Sequence, residues 1–385
     1  MAVNVAKLFK NATMLYNMKL VAGRKGLDNL VTWVHIIEDD DVSKFLHGDE
    51  LVFTAGIKNS GDGWLLDFAK SLYEVGASAF VVNLGPYVKE IPSDVLEYCN
   101  EVGMPLFTIP WETHMVDMTR DFCHRIMRNE NIEMSMSTTI KNIIFKIGDL
   151  ETQILQMERY GYMRDGRFCV IAISFDDNTL EISRTMDRMK DIAERVARSI
   201  HELYISFLHN NCLIVVLVDY GEYEVKQFID KFVKQVEGEQ NKIEAYLGIS
   251  PNIDGIEKIG DSFDKAINSL TLAIKKGEHI KYYDELDIYK ILLASRDKRI
   301  LVDYYNDTLG KLVQYDEDNN IDLEGFLKVY LDNNGSQQIV AEKLFIHRNT
   351  VNNQLKKIEK ITGYNPLELE NKFKFIMAFW IKDII

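Results

Sequence analysis

From about Lys19 to Arg128, short apolar runs alternate with amphipathic stretches. Thr32–Ile37 (TWVHII), Glu50–Phe53 (ELVF), Ala79–Val82 (AFVV) and Leu106–Ile109 (LFTI) are candidate strands. Between the second and third, Trp64 to Val75 repeats apolar residues at three- and four-residue spacing, which predicts a helix. Ser93 to Val102 predicts another, opened by Pro92 and closed by Gly103. Strands separated by helices imply parallel pairing and an α/β layer structure.

A long helical stretch without proline follows, from about Val116 to Tyr160, rich in Met, Ile and charge. It is expected to connect domains and to pair with its copy in a second subunit, although its heptads are irregular. Residues 167–285 then predict a second α/β unit. Arg167–Phe175 is a strand and Leu180–His201 a helix; Tyr204–Leu208 and Cys212–Val218 form a hairpin turning at His209-Asn210-Asn211. Tyr223–Val236 is a helix, Ala245–Ser250 a strand and Ile259–Lys276 a helix. The order βαββαβ is that of a ferredoxin-like split sheet. Residues 286–320 read as helical.

The last segment changes character. Leu323–Leu331 is helical, and Asn334-Gly335-Ser336 stops it and offers Ser336 as the N-cap of a short helix, Gln337–Phe345. In that helix Ile339, Val340 and Leu344 are apolar, and Ala341 is small where a second helix must approach. A tight turn at Ile346-His347 leads to a third helix, from about Arg348 to Ile361, ended by Gly363. Val351, Leu355 and Ile358 fall at i, i+4 and i+7, one buried stripe. This is the spacing of a helix-turn-helix, whose last helix lies in the DNA major groove. Opposite the stripe stand Arg348, Asn349, Thr350, Asn352, Asn353, Lys356 and Lys357. Arg348, Asn349, Asn352 and Asn353 suit base edges, and Thr350, Lys356 and Lys357 suit phosphates. The alternative is a three-helix bundle whose polar outer face is merely solvated.

Charge at first opposes this reading and, once divided, supports it. The 385 residues carry 45 Lys+Arg against 59 Asp+Glu, a net of -14, which argues against electrostatic coating of nucleic acid. Residues 321–385 hold nine Lys/Arg and eight Asp/Glu, so residues 1–320 hold 36 against 51. Lys343 to Lys360 alone carries five basic residues and one acid, Glu359. The acidic body should repel DNA, and only the tail is suited to touch it.

SQQIVAEKLFIHRNTVNNQLKKIEKITGYNP, residues 336–366, resembles the C-terminal helix-turn-helix of PucR-type bacterial transcriptional regulators, also shared by the sugar-diacid regulators. One departure stands out: Asn352-Asn353-Gln354 occupies the place of the family's usual Arg-Tyr-Arg, so no operator sequence carries over. GRKGLDNLVTWVHIIEDDDVSKFLHGDELVFTAG and GMPLFTIPWE resemble the N-terminal domain of purine-catabolism regulators. YLGISPNIDGIEKIGDSFDKAINSLTLAIKKG and YYDELDIYKIL resemble the family's GGDEF-like middle domain. The resemblance implies a cytoplasmic transcription regulator, dimeric or larger, that answers to a small metabolite and often governs purine or ureide use. It implies a multidomain α/β and α+β chain. The expected divisions are a sensing domain over 1–128, a helical connector over 129–160, a catalytically inactive GGDEF-like domain over 161–290, a helical linker over 291–320 and the helix-turn-helix over 321–385.

The middle domain also invites an enzyme reading, because nucleotide cyclases share its βαββαβ order. Two-metal chemistry needs carboxylates after the first strand and in the hairpin. Asp176 and Asp177 follow the first strand, but His209-Asn210-Asn211 supplies no acid. The domain is therefore expected to assemble or transmit rather than catalyse. Cys99, Cys123, Cys169 and Cys212 form no CxxC pair, and no HxxxH or acid-rich cluster suggests a metal, so neither metal nor cofactor is expected.

In open α/β sheets, ligands bind beyond the carboxyl ends of parallel strands. Those ends supply Glu38, Thr54, Gly56, Asn83, Gly85 and Trp111, groups fit to hydrogen-bond a planar nitrogenous ligand; turn formation alone also favours Gly, Asn and Thr there. His35, alternating with apolar neighbours, reads as a structural histidine. The longest apolar runs, Cys212–Val218 and Phe375–Ile381, are too short to span a bilayer, and the N-terminus lacks a secretory signal pattern.

Overall fold

The computed structural model describes residues 3–58, 61, 63–176, 182–238, 244–295 and 297–385, in two compact units, 1–138 and 139–385. In the first unit, β1 (Val3–Asn4), α1 (Val5–Tyr16), β2 (Lys19–Ala22), β3 (Leu30–Val31) and β4 (Trp33–Ile36) precede α2 (Asp40–Ser43) and β5 (Glu50–Thr54). Then come α3 (Trp64–Glu74), β6 (Ala79–Leu84), α4 (Ser93–Val102), β7 (Leu106–Pro110) and α5 (Met115–Ile144). The sheet order is β2-β7-β6-β5-β4. β4 through β7 are parallel, as the strand–helix alternation predicts.

The sequence pattern does not anticipate α1, the β1–β3 pair, the short α2, or β2, which lies antiparallel to β7 at the sheet edge. The sheet is buried on both faces. Phe53, Val81 and Phe107 pack with Leu8 of α1 and Met118, Phe122 and Ile126 of α5. Val52, Phe80 and Val82 pack with Phe68 and Leu72 of α3 and Val95 and Cys99 of α4. The expected continuous helix over 116–160 is broken: α5 ends at Ile144 and α6 (Leu150–Glu158) begins afresh. Lys146 and Gly148 take left-handed backbone, and the Asp149 carboxylate accepts the Thr152 N–H (2.9 Å) as a new N-cap.

In the second unit β8 (Arg167–Asp176), α7 (Ile182–Arg198), β9 (Tyr204–His209), β10 (Cys212–Val218), α8 (Glu222–Glu237) and β11 (Glu244–Ile249) follow α6. β12 (Ile253–Asp254), α9 (Ile259–Lys276) and β13 (Ile280–Tyr282) complete the layer. β11-β8-β10-β9 is the ferredoxin-like order, extended by β13 parallel to β11. Met189, Ile192, Phe228 and Phe232 of α7 and α8 cover one face. On the other, α9 lies so close to β11 that a Cβ on Gly248 would meet the Leu270 backbone nitrogen at 2.1 Å. The β9–β10 hairpin turns on Asn210 and Asn211, both left-handed, the demand of a two-residue type I′ turn. Phe145 lies tilted against His209 (4.8 Å between ring centroids), with Phe263 edge-on to both. Asp177 lies outside the described residues, and Asp176 ends β8 in register with Glu244.

The remainder is helical: α10 (Tyr289–Leu293), α11 (Lys298–Tyr305), a π turn at Asn306–Gly310, α12 (Lys311–Asn319), α13 (Leu323–Asp332), α14 (Gln337–Lys343), α15 (Arg348–Thr362) and α16 (Leu369–Lys382). One core joins Leu312, Phe326, Leu327, Tyr330, Val340, Val351, Leu355, Ile358 and Phe375. No helix among the described residues is long and apolar enough to cross a membrane.

Candidate nucleic-acid interface

Local chemistry fixes each helix of the tail. Asp322 caps α13 by accepting the Gly325 N–H (2.7 Å), and left-handed Asn334 and Gly335 end it, the Gly335 N–H returning to the Tyr330 carbonyl (2.9 Å). Ser336 accepts the Ile339 N–H (3.5 Å) at the start of α14. Val340 is buried and Ala341 packs against the same core, while Ile339 of the helix and Leu344 just past its end are exposed. The turn is closed by the Ile346 N–H on the Ala341 carbonyl (3.0 Å). His347 caps α15, its Nδ1 accepting the Asn349 N–H (3.2 Å), and left-handed Gly363 ends it.

Val351, Leu355, Ile358 and Thr362 are the buried stripe of α15. Asn349, Asn353, Lys356 and Lys360 are exposed and repeat the same i, i+4, i+7, i+11 spacing, offset by two residues. At 3.6 residues per turn that offset is about 200°, so this polar stripe points directly away from the core. Lys360 is the addition to the sequence-derived set; its signal is that it completes this spacing.

Arg348 and Thr350 are exposed at the same helix's start. Three members of the set have partners inside the domain, Arg348 among them. Asn352 accepts a hydrogen bond from Gln337 Nε2 (2.9 Å), and Gln337 Oε1 accepts one from Arg348 Nε (3.4 Å). Lys357 holds its ammonium over the Tyr315 ring of α12, 5.0 Å from the centroid, rather than on the outward face. Gln337, at the first position of α14, is the positioning residue that sequence reading missed.

The six candidates of the N-terminal sheet do not form one cluster. Glu38 is spent within the fold: its carboxylate accepts from Thr54 Oγ1 (3.1 Å) and from the Ala55 (2.8 Å) and Ile57 (2.9 Å) N–H groups. Thr54 pairs in register with Val82, so it shares the face covered by α3 and α4. Asn83, one residue further along β6, turns to the face of α1 and α5, buried with its Oδ1 lacking a hydrogen-bond partner. Gly56 takes left-handed backbone against Val88 and Trp64, and Gly85 lies under the Trp111 ring. A cavity of about 290 Å³ opens on the α3/α4 side, walled by Trp64, Tyr87, Val88, Lys89, Pro92 and Val95. None of the six lines it, though Gly56 and Trp111 abut its wall residues.

Comparison with known proteins agrees with the order of these parts. Residues 7–126 match the family model of the purine catabolism regulatory protein-like family, 149–272 the GGDEF-like domain and 323–381 the PucR C-terminal helix-turn-helix domain. The chain belongs to the PucR-type regulators. Three curated relatives come from Bacillus subtilis (strain 168). This PucR-type chain is 32% identical over 140 residues to the proline-responsive transcriptional activator PutR, covering 36% of this chain and 34% of that one. It is 24% identical over 269 residues to the DNA-binding transcriptional activator AdeR (68% and 62%) and 27% identical over 165 residues to the purine catabolism regulatory protein (42% and 30%). It thus spans less than two thirds of each relative's length.

Proposed function

We propose that this PucR-type chain is a DNA-binding transcriptional regulator that lays α15 in the major groove of an operator and answers to a small metabolite. The observation that carries the reading is the pair of opposed stripes on α15, one buried and one of Asn349, Asn353, Lys356 and Lys360. Asn349 and Asn353 face base edges with Arg348, while Lys356, Lys360 and Thr350 take phosphates. The chain acts as a homodimer or larger assembly, since one short basic helix on an acidic body gives modest affinity per subunit.

The N-terminal unit senses the effector in the cavity between α3 and α4. A purine or ureide is the first candidate class, and proline the competing one, since a relative 32% identical is named as proline-responsive. Binding shifts the population between two mutual arrangements of the paired recognition helices. The middle domain assembles and transmits; the acid-free hairpin under Phe145 supports this over nucleotide turnover.

A gel-shift on DNA upstream of the chain's own operon tests the proposal. The Asn349→Ala/Asn353→Ala/Lys356→Ala variant should lose binding, and undiminished binding would overturn it. A thermal-shift screen with purines, ureides and amino acids then identifies the effector, which raises the melting temperature of the N-terminal unit.

A further inference from the structure

Phe345, in the turn between α14 and α15, is 96% exposed, more than any other large apolar side chain among the described residues. It also has φ +55°, a left-handed backbone that costs a bulky L-residue energy and that glycine or asparagine would adopt more readily. The left-handed backbone belongs to the cap that ends α14, where the Phe345 N–H returns to the Glu342 carbonyl and the Ile346 N–H to the Ala341 carbonyl. What an isolated domain gains nothing from is a bare phenylalanine ring at a place that glycine or asparagine would fill at lower cost.

Beside the ring lies a hole. A cavity of about 390 Å³ is walled by Leu323, Phe326 and Val329 of α13, by Leu344 and Ile346 on either side of Phe345, and by Gln354 and Lys357 of α15. Its lining is mainly apolar, with the side chains of Asp322, Gln354 and Lys357 as its polar members, and the Lys357 ammonium turned to Tyr315. Gln354 Oε1 is shut off from solvent with no hydrogen-bond partner within the chain. The outward backbone at Phe345 keeps the ring from filling this hole itself.

A projection and a complementary recess side by side on one surface are what a twofold axis needs. Rotating a second copy about an axis between them seats each ring in the other's recess, and both are satisfied by one closed operation. We propose that two copies of this chain pair through their helix-turn-helix units, each Phe345 entering the α13/α15 cavity of the other. The pairing fixes the separation of the two recognition helices. Its bearing on operators rests on the DNA-binding reading above, but the contact itself is tested without DNA.

Full-length chains carrying Phe345→Cys and Val329→Cys, differently tagged and co-expressed, should yield a mixed disulfide on mild oxidation. Neither should do so when paired with the wild-type chain. In sedimentation equilibrium, Phe345→Asn should weaken association at least tenfold while keeping or raising the melting temperature, because asparagine tolerates the left-handed backbone. Absence of the mixed disulfide, or association of Phe345→Asn as tight as wild type, overturns the proposal. Loss of operator binding by Phe345→Asn with association unchanged also overturns it, assigning the ring to DNA. Failure to bind any operator would leave the disulfide result untouched, so the two readings fail separately.

Discussion

Gln337 Nε2 donates to Asn352 Oδ1 across 2.9 Å, which ties the first residue of α14 to the middle of the recognition helix. The other end of the same amide accepts from Arg348. One side chain thus orients two groups that sequence reading had assigned to bases. Gln337→Ala should lower operator affinity roughly fivefold, the equivalent of about 1 kcal/mol for a net hydrogen bond. The slope of log affinity against log salt should stay unchanged, since no phosphate contact is removed. A salt titration of the variant by fluorescence anisotropy checks both parts, and a changed slope would place Gln337 on the backbone instead.

Lys356 and Lys357 are neighbours with different fates. Lys356 is exposed on the outward stripe, whereas Lys357 sits over Tyr315. Lys356→Gln should reduce the salt slope by about 1, as loss of one phosphate contact does. Lys357→Gln should leave the slope as it is and cost on the order of 0.5–1 kcal/mol of stability through the lost cation–π contact. Equal slopes for the two variants would refute the distinction.

What the sequence made visible here is whatever lies within one helical turn or one strand. The stripe Val351, Leu355, Ile358 follows from the period of 3.6 and the four parallel strands from short apolar runs between helical stretches, and both are realised. What it hid depends on partners far along the chain. Lys357 meets Tyr315 on another helix, so its local spacing looks the same as that of a phosphate ligand. Thr54 ends β5 and Asn83 lies one residue before the end of β6. Only the register, Thr54 against Val82, reveals that they face opposite layers. β2 reads as a strand in neither length nor neighbours, and its antiparallel place beside β7 is set by the fold.

Glu38 binds its own loop. Three donors converge on its carboxylate, two of them backbone N–H groups just beyond β5. Hydrogen bonds to a charged acceptor contribute more than neutral ones, so Glu38→Ala should cost about 2–3 kcal/mol. Calorimetry should show the loss in the N-terminal unit's transition. An effector-binding role would instead appear as unchanged stability with weakened ligand response.

Acid should loosen the tail from the middle domain. Burial works to raise the Asp383 carboxyl, but the Lys276 ammonium and the Tyr289 hydroxyl (2.6 Å) outweigh it and hold the group below its ordinary value. A depressed folded-state pKa contributes stability above the unfolded value and loses it as pH falls through the folded one. Hydrogen exchange at the end of α16 should therefore accelerate below about pH 4, near the ordinary aspartate range. Asp383→Asn should show the fast exchange already at pH 7 and little further change on acidification.

Gly85 couples the strand ends to the cavity wall. A Cβ there would fall 2.2 Å from Trp111 Cε3, and Trp111 packs against Tyr87 (6.0 Å between centroids), which lines the cavity. Gly85→Ala must push the indole aside, at a cost of about 1–3 kcal/mol for overpacking. It should also weaken the effector's influence on operator binding at least tenfold, while effector-free binding stays as in wild type. A double-mutant cycle separates the clash from any effect of the added methyl. In the Gly85→Ala/Trp111→Ala pair the methyl meets no ring, so the two costs should add to less than their sum by roughly 1 kcal/mol or more. Strict additivity would mean that the indole does not rest on Gly85, and the route from strand end to cavity would fall with it.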